Sequence, residues 1–508
     1  MQRLFFILAV VWLGYAPSVL AQGVRAESQH FILLSEAEVD ASALLSDLER
    51  FRTAVMTDMD LEPGANPTPL HLNIINDPET FQLITPGGIT AAIYLQSAAG
   101  HDIVVGYSSQ PGHFLSQALE PGWLRLVLRH EVVHHILETH YARKLPVWLG
   151  EGLAEYYSTF EPSPDGRALF GRALPEQDPL SEASNWLPMR TVIESMVKYP
   201  DFRAASTGSL FRAQRLYYGQ SWALAHFVMD QPDGLAKIHN FVDDWSPLQD
   251  SEDSFERAFG LRYEPLEARV REDIIQDGGN LRLNDLTQRE LQPITVSTPT
   301  QIEIDENRLR LLLTHGHLGD STYDRIDAVR ELIMDPADSD ALDLAEALRS
   351  WRLKDWDASD AAAERILARQ PNHPAALKLR AKTAYGRVSE RQMDDALWTE
   401  AESVVISALA VSPDDAELHL FRVAVSRPDT DRLSPGARRS LNWLADHGTH
   451  LKLPHTAMMM IPALIYENRF DHADAVLDSA ARWTENSSDK FVIERLRGNV
   501  AAERAVAP

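Results

Sequence analysis

Between residues 30 and 107 the apolar residues come in short runs closed by polar or turn-forming neighbours, which is the patterning of strands. The candidate strands are residues 30–35 (HFILLS), 71–76 (HLNIIN), 92–96 and 103–107. Residues 41–59 instead repeat apolar positions at helical spacing, and Asp77-Pro78 opens a further short helix. This order predicts a small mixed sheet with helices packed beside it. From about residue 119 to 278 the pattern becomes mainly helical. Residues 123–140 contain no proline or glycine, and Leu124, Leu126, Val127, Leu128, Val132, Val133, Ile136 and Leu137 supply apolar surface to bury. Arg143 and Lys144 follow near the end of that helix, and Pro146 stops it. Further apolar helices are predicted around Trp148 and from Tyr217 onward. The acidic, proline-rich stretch 161–186 between them reads as a loop.

Gly278-Gly279-Asn280, followed by Pro293, Ser297, Thr298 and Pro299, predicts a linker over residues 281–300. Beyond it, over 301–485, the helical pattern repeats. Prolines at 336, 371 and 413 each close one helical pair and stand 35 and 42 residues apart. That is close to the tetratricopeptide period of about 34. Residues 341–371 form the clearest unit. Ala347, Ser359 and Ala363 are small where paired helices must approach, and Trp356 stands at the turn, as an aromatic does in that family. A later unit opens at residues 465–473 (IYENRFDHA). The unit resembles a tetratricopeptide (TPR) repeat. The resemblance implies an all-α stack that binds a protein partner or docks on the preceding domain. Residues 486–508 are left as a C-terminal tail.

A length of 508 residues has room for about three domains. The formal net charge of −26 argues against nucleic acid and anionic membrane as partners. There is no cysteine, so disulfide stapling is excluded, and histidine and carboxylate remain as the strong ligands for a metal. Residues 1–21 read as a secretory signal peptide, with Arg3, an apolar run over 4–13 and Val19-Leu20-Ala21 at the cleavage site. That run is too short, and too closely followed by Pro17, for a membrane span. The expectation is export to a bacterial periplasm or the medium, with no membrane span after cleavage.

His130-Glu131-Val132-Val133-His134 places an H-E-x-x-H motif inside the 123–140 helix. Residues i and i+4 lie about 40° apart around a helix, so both imidazoles can reach one metal. Glu131 projects from the neighbouring flank as a general base. On a helix apolar enough to be buried, unpaired His and Glu side chains would be costly. Glu151 and Glu155 follow on the next helix, and spacing alone leaves both open as the third ligand. His135 and His140 read as bystanders on the motif helix, and His226 as a core histidine.

The motif helix followed by Trp148-Leu149-Gly150-Glu151-Gly152-Leu153-Ala154-Glu155 resembles the gluzincin zinc metallopeptidases, which include thermolysin and the zinc aminopeptidases. The resemblance implies one zinc per chain on His130, His134 and Glu151, with Glu131 as catalytic base. It implies that Glu155 hydrogen-bonds the first zinc histidine, fixing its tautomer. Gly150 departs from the pattern, which usually has Asn there. Tyr217-Tyr218-Gly219-Gln220-Ser221-Trp222 resembles the aminopeptidase helix that carries a transition-state tyrosine. Tyr218 is the candidate for that role, and Tyr217 the alternative. Residues 87–92 hold no carboxylate with which to grip a free N-terminus, so an endopeptidase acting on a peptide or protein substrate is expected. The implied fold is an α+β zincin-like catalytic domain, with an α/β part over 22–118 and a helical part over 119–280. The TPR-like repeats follow it. Gluzincins run an edge strand along the substrate cleft, and residues 91–97 are the candidate here. The alternative is a catalytically inactive zincin-fold scaffold whose repeats bind protein partners.

Overall fold

The computed structural model describes residues 23–506 apart from 62–68, 86–90, 98–99, 108–118, 142–144, 164–166, 174–185, 195–206, 245–250, 278–281, 286–290, 316–319, 333–338, 391–394, 427–432, 448–453 and 484–486. The segment read as a signal peptide lies outside the described residues. Among the described residues, no helix is long and apolar enough to cross a membrane.

One sheet runs from edge to edge through β4 (Ala92–Ser97), β5 (Gly100–Gly106), β3 (Leu70–Ile75), β2 (Phe31–Ser35), β1 (Val24–Glu27) and β9 (Thr295–Ser297). The central strands β5, β3 and β2 are parallel, and the flanking pairs are antiparallel. Strand alternation gives the sheet two apolar faces. Phe31, Leu33, Leu72, Ile74, Ile103 and Val105 enter one core. Ile75 and Val104, with the half-buried Ile93 and Leu95, enter another. Near-continuous apolar runs such as LHLNII are what burial on both sides demands.

The first face is covered by α1 (Ala41–Asp58) and α3 (Pro121–His140). Asp40 caps α1, accepting a hydrogen bond from the Ala43 N–H at 3.0 Å. Helix α4 (Val147–Ser158) packs on α3, and α6 (Thr207–Met229) packs on α4. Stretch 161–186, expected as a loop, contains β6 (Glu161–Pro162) and β7 (Arg167–Phe170) of a second, three-stranded sheet. Its residues 164–166 and 174–185 lie outside the described residues.

The second face corrects the expected domain boundary. It is covered by α2 (Pro78–Ile84) together with α10 (Gln301–His315) and α11 (Asp320–Leu332). Leu309, Leu311, Leu312, Ile326 and Val329 complete the core begun by Ile75, Phe81, Ile84 and Val104. Residues 281–300 are not a free linker. They hold β8 (Arg282–Asp285), paired with β7, and β9, paired with β1. Polar contacts reinforce the join. Arg310 donates to buried Asp102 at 2.7 and 3.0 Å, and His315 Nε2 lies 2.9 Å from the same carboxylate. Arg308 forks onto Glu36 at 2.6 and 2.7 Å. The first helical hairpin is therefore part of the sheet domain's core.

Beyond it stand hairpins of α12 (Asp340–Arg352) with α13 (Trp356–Arg369) and α14 (Pro374–Glu390) with α15 (Asp395–Val411). The pairs α16 (Ala416–Ala424) with α17 (Pro435–His447) and α18 (Pro454–Tyr466) with α19 (Phe470–Trp483) follow. This is the all-helical repeat region that the proline spacing predicts. Ala347, Ser359 and Ala363 are fully buried, and Ser359 Oγ lies 3.0 Å from Thr383 Oγ1. Trp356 opens α13, and its ring lies against Gly386, where an added Cβ would come within 2.8 Å. Residues 486–508, expected as a tail, instead carry α20 (Ser487–Val506), whose Ile493, Leu496 and Val500 close the last apolar cluster.

Candidate metal centre

Arg129 immediately precedes the H-E-x-x-H motif, and its contacts fix how α3 is rotated. It donates from Nε and Nη2 to Asp47 on α1, at 3.0 and 2.6 Å, and from Nη1 to the Phe160 carbonyl at 2.7 Å. Its guanidinium also lies over the Phe160 ring, 5.0 Å from the centroid. One side chain thereby ties α3 to α1 and to the chain leaving α4. On α4, a Cβ added at Gly152 would lie 2.2 Å from the Ser221 carbonyl oxygen. Only glycine lets α4 and α6 approach this closely, and the approach brings Tyr218 beside the motif.

The donors converge. His130 Nε2 and His134 Nε2 are 3.2 Å apart, and Glu151 places Oε2 at 3.3 Å from the former and Oε1 at 3.6 Å from the latter. Zinc bonds of about 2.0–2.1 Å at tetrahedral angles separate donor atoms by about 3.3 Å. Two imidazole nitrogens and a buried carboxylate at this spacing fit one face of a zinc tetrahedron. Glu155 does not compete with them, because its Oε1 lies 3.4 Å from His130 Nδ1, on the far side of the ring. Burial disfavours a charged His130, but its hydrogen bonds with Glu151 and Glu155 outweigh this and push its pKa up to about 10. The same electron-rich surroundings favour a divalent cation held against the ring.

Glu131 is 8% exposed and stands outside the donor set. Its Oε2 accepts the Tyr94 backbone N–H at 2.8 Å, which ties the expected base to the expected edge strand β4. Tyr218 is half-buried, and its ring centroid lies 6.2 Å from that of His130. Tyr217 is fully buried. Gln220 fixes the chain above α6, donating to the Leu187 carbonyl at 2.9 Å and accepting from its N–H at 2.7 Å.

His135, His140 and His226 lie outside this donor set. His135 packs against Tyr94 and His101, with ring centroids 5.8 and 4.9 Å away, and burial pushes its pKa down to about 3. His140 Nδ1 hydrogen-bonds the Ile136 carbonyl at 2.8 Å. His226 is 1% exposed, beside Trp222 and Tyr156. The sequence reading missed Arg129, Gln220 and the Tyr94 amide. A charged Arg129 within an apolar helix was a usable signal; a backbone N–H carries none.

No family model matches the chain, and no curated protein matches it. Among solved structures, a thermophilic TPR protein of Thermus thermophilus is similar at 21% identity, over 39% of this chain and 92% of that one. The TM-score is 0.26, so the helical stack stands on its own helix pairing rather than on this likeness.

Proposed function

We propose that the chain is an exported zinc metallopeptidase, an endopeptidase whose helical repeats engage a protein substrate or partner. The observation that carries this reading is the convergence of His130, His134 and Glu151 at tetrahedral spacing, beside a carboxylate, Glu131, that is not one of the donors. A purely structural site has no use for that extra carboxylate. Bound zinc would supply Lewis acidity, polarising the scissile carbonyl and lowering the pKa of a water toward neutrality. His130, His134 and Glu151 hold the ion, and Glu155 orients the His130 ring through Nδ1. The Tyr94 N–H engages Glu131 Oε2, which leaves Oε1 to take the attacking water's proton and deliver it to the leaving amine. The Tyr218 hydroxyl donates to the developing oxyanion. An extended peptide adds along β4, the outer strand of the sheet, so the strand that aligns the substrate also holds the base. Export rests on residues 1–21, and the lack of cysteine suits an envelope or extracellular protein large enough to be held by its own core.

The test is Glu131→Gln assayed beside wild type on a peptide library and on unfolded proteins. The variant keeps its zinc and fold, since Glu131 is not a ligand, and loses about 10²–10⁴-fold in turnover. Equal inertness of both proteins across these substrates would favour the non-catalytic scaffold instead.

A further inference from the structure

The far end of α6 carries a second convergence of ligand-type side chains. We propose that His226 and Asp230, with Asp273 from α9 (Tyr263–Asp277), form a second divalent-metal site that clamps α9 onto α6. The three donor atoms lie within 4.8 Å of one another, and His226 Nδ1 is 3.4 Å from Asp230 Oδ2. The construction follows the logic of the first centre, with an i, i+4 pair on one helix and a carboxylate from the helix packed against it. It stands apart from that centre, since His226 is eight residues beyond Tyr218, a rise of about 12 Å along α6. The His226 imidazole is held almost wholly out of water between the Trp222 and Tyr156 rings, with centroids 5.4 and 5.6 Å away. Asp230 is exposed, which leaves the ion a route in from solvent.

One imidazole and two carboxylates suit zinc and similar transition ions better than calcium, which prefers oxygen alone. The ligands come from two helices packed on each other, so the role is structural. Helix α6 carries Tyr218, and α9 is the last helix before the chain crosses to β8. A metal joining them would fix the wall of the first site and raise the one zinc per chain expected from sequence to two.

The test strips the full-length protein with chelator, reloads it with Zn²⁺, counts bound metal and follows thermal unfolding with and without Zn²⁺. Wild type should bind two equivalents, His134→Ala one, Asp273→Asn one, and the double variant none. In the His134→Ala background Zn²⁺ should raise Tm, and adding Asp273→Asn or Asp230→Asn should abolish that rise. The proposal is overturned if Asp273→Asn retains the wild-type stoichiometry, or if His134→Ala binds no zinc. A single equivalent that survives His134→Ala and is lost in Asp273→Asn would support this site and reject the first one.

Discussion

Two carboxylates one turn apart on α4 address opposite nitrogens of one imidazole, and their separation has a measurable consequence. Glu151 faces His130 Nε2, and Glu155 faces Nδ1. Glu151→Ala removes a donor and is expected to lose the equivalent of zinc held at this centre, as His134→Ala does. Glu155→Ala removes only the group that orients His130, and is expected to weaken zinc affinity about 10–100-fold. Equilibrium titration against a competing chelator distinguishes the two. One equivalent lost in Glu155→Ala and both retained in Glu151→Ala would reverse the assignment. The H-E-x-x-H residues were legible from spacing because i and i+4 geometry is local. The choice between Glu151 and Glu155 was not, because it depends on how α4 is rotated against α3.

At the scale of elements, the junction of β5 with α10 decides how the sheet domain responds to acid. Burial pushes the Asp102 pKa up, but the hydrogen bond from His315 and the charge of Arg310 outweigh it and hold the carboxyl far below the usual range. A depressed folded-state pKa contributes stability that is complete above the unfolded value, about 3.9, and is lost as pH falls below it. Asp102→Asn is therefore expected to cost about 3 kcal/mol at pH 7, by leaving Arg310 and His315 without their anion. It should also flatten the loss of stability below about pH 4. Denaturant unfolding of both proteins from pH 7 to pH 3 checks this, and parallel pH profiles would remove Asp102 as the cause. The strand over 103–107 was legible from its apolar run. Its partnership with a helix some 200 residues later was not, because long-range pairing leaves no periodic trace.

For the whole molecule, the expected cut between catalytic domain and repeats falls in the wrong place. A fragment ending at residue 280 keeps every proposed ligand but strips Leu309, Leu311, Leu312, Ile326 and Val329 from the second face of the sheet. Burial of each such side chain is worth about 1.5–3 kcal/mol, against a total domain stability of about 5–15 kcal/mol. That fragment is expected to aggregate. One ending at Pro371, which retains α10 to α13, is expected to be soluble, to bind zinc and to cleave short peptides. Size-exclusion chromatography and zinc content separate the two. A soluble 1–280 fragment that unfolds at the full-length Tm would show that the hairpin is dispensable.

The sequence by itself determined the features set by local periodicity and short-range chemistry. These are β2 to β5 of the mixed sheet, the motif helix, the succession of helical pairs and the identity of the first centre's candidate donors. Helix and strand periods are properties of neighbouring residues, and i, i+4 ligands need only one helix to meet. Tertiary structure alone decided which carboxylate faces Nε2, that a Tyr94 amide engages Glu131, that Gly152 admits α6, and that the first hairpin belongs to the sheet domain. Each of these depends on the relative rotation or register of elements distant in sequence. That geometry is chosen by burying two apolar faces at once, a condition that no single segment carries in its own pattern.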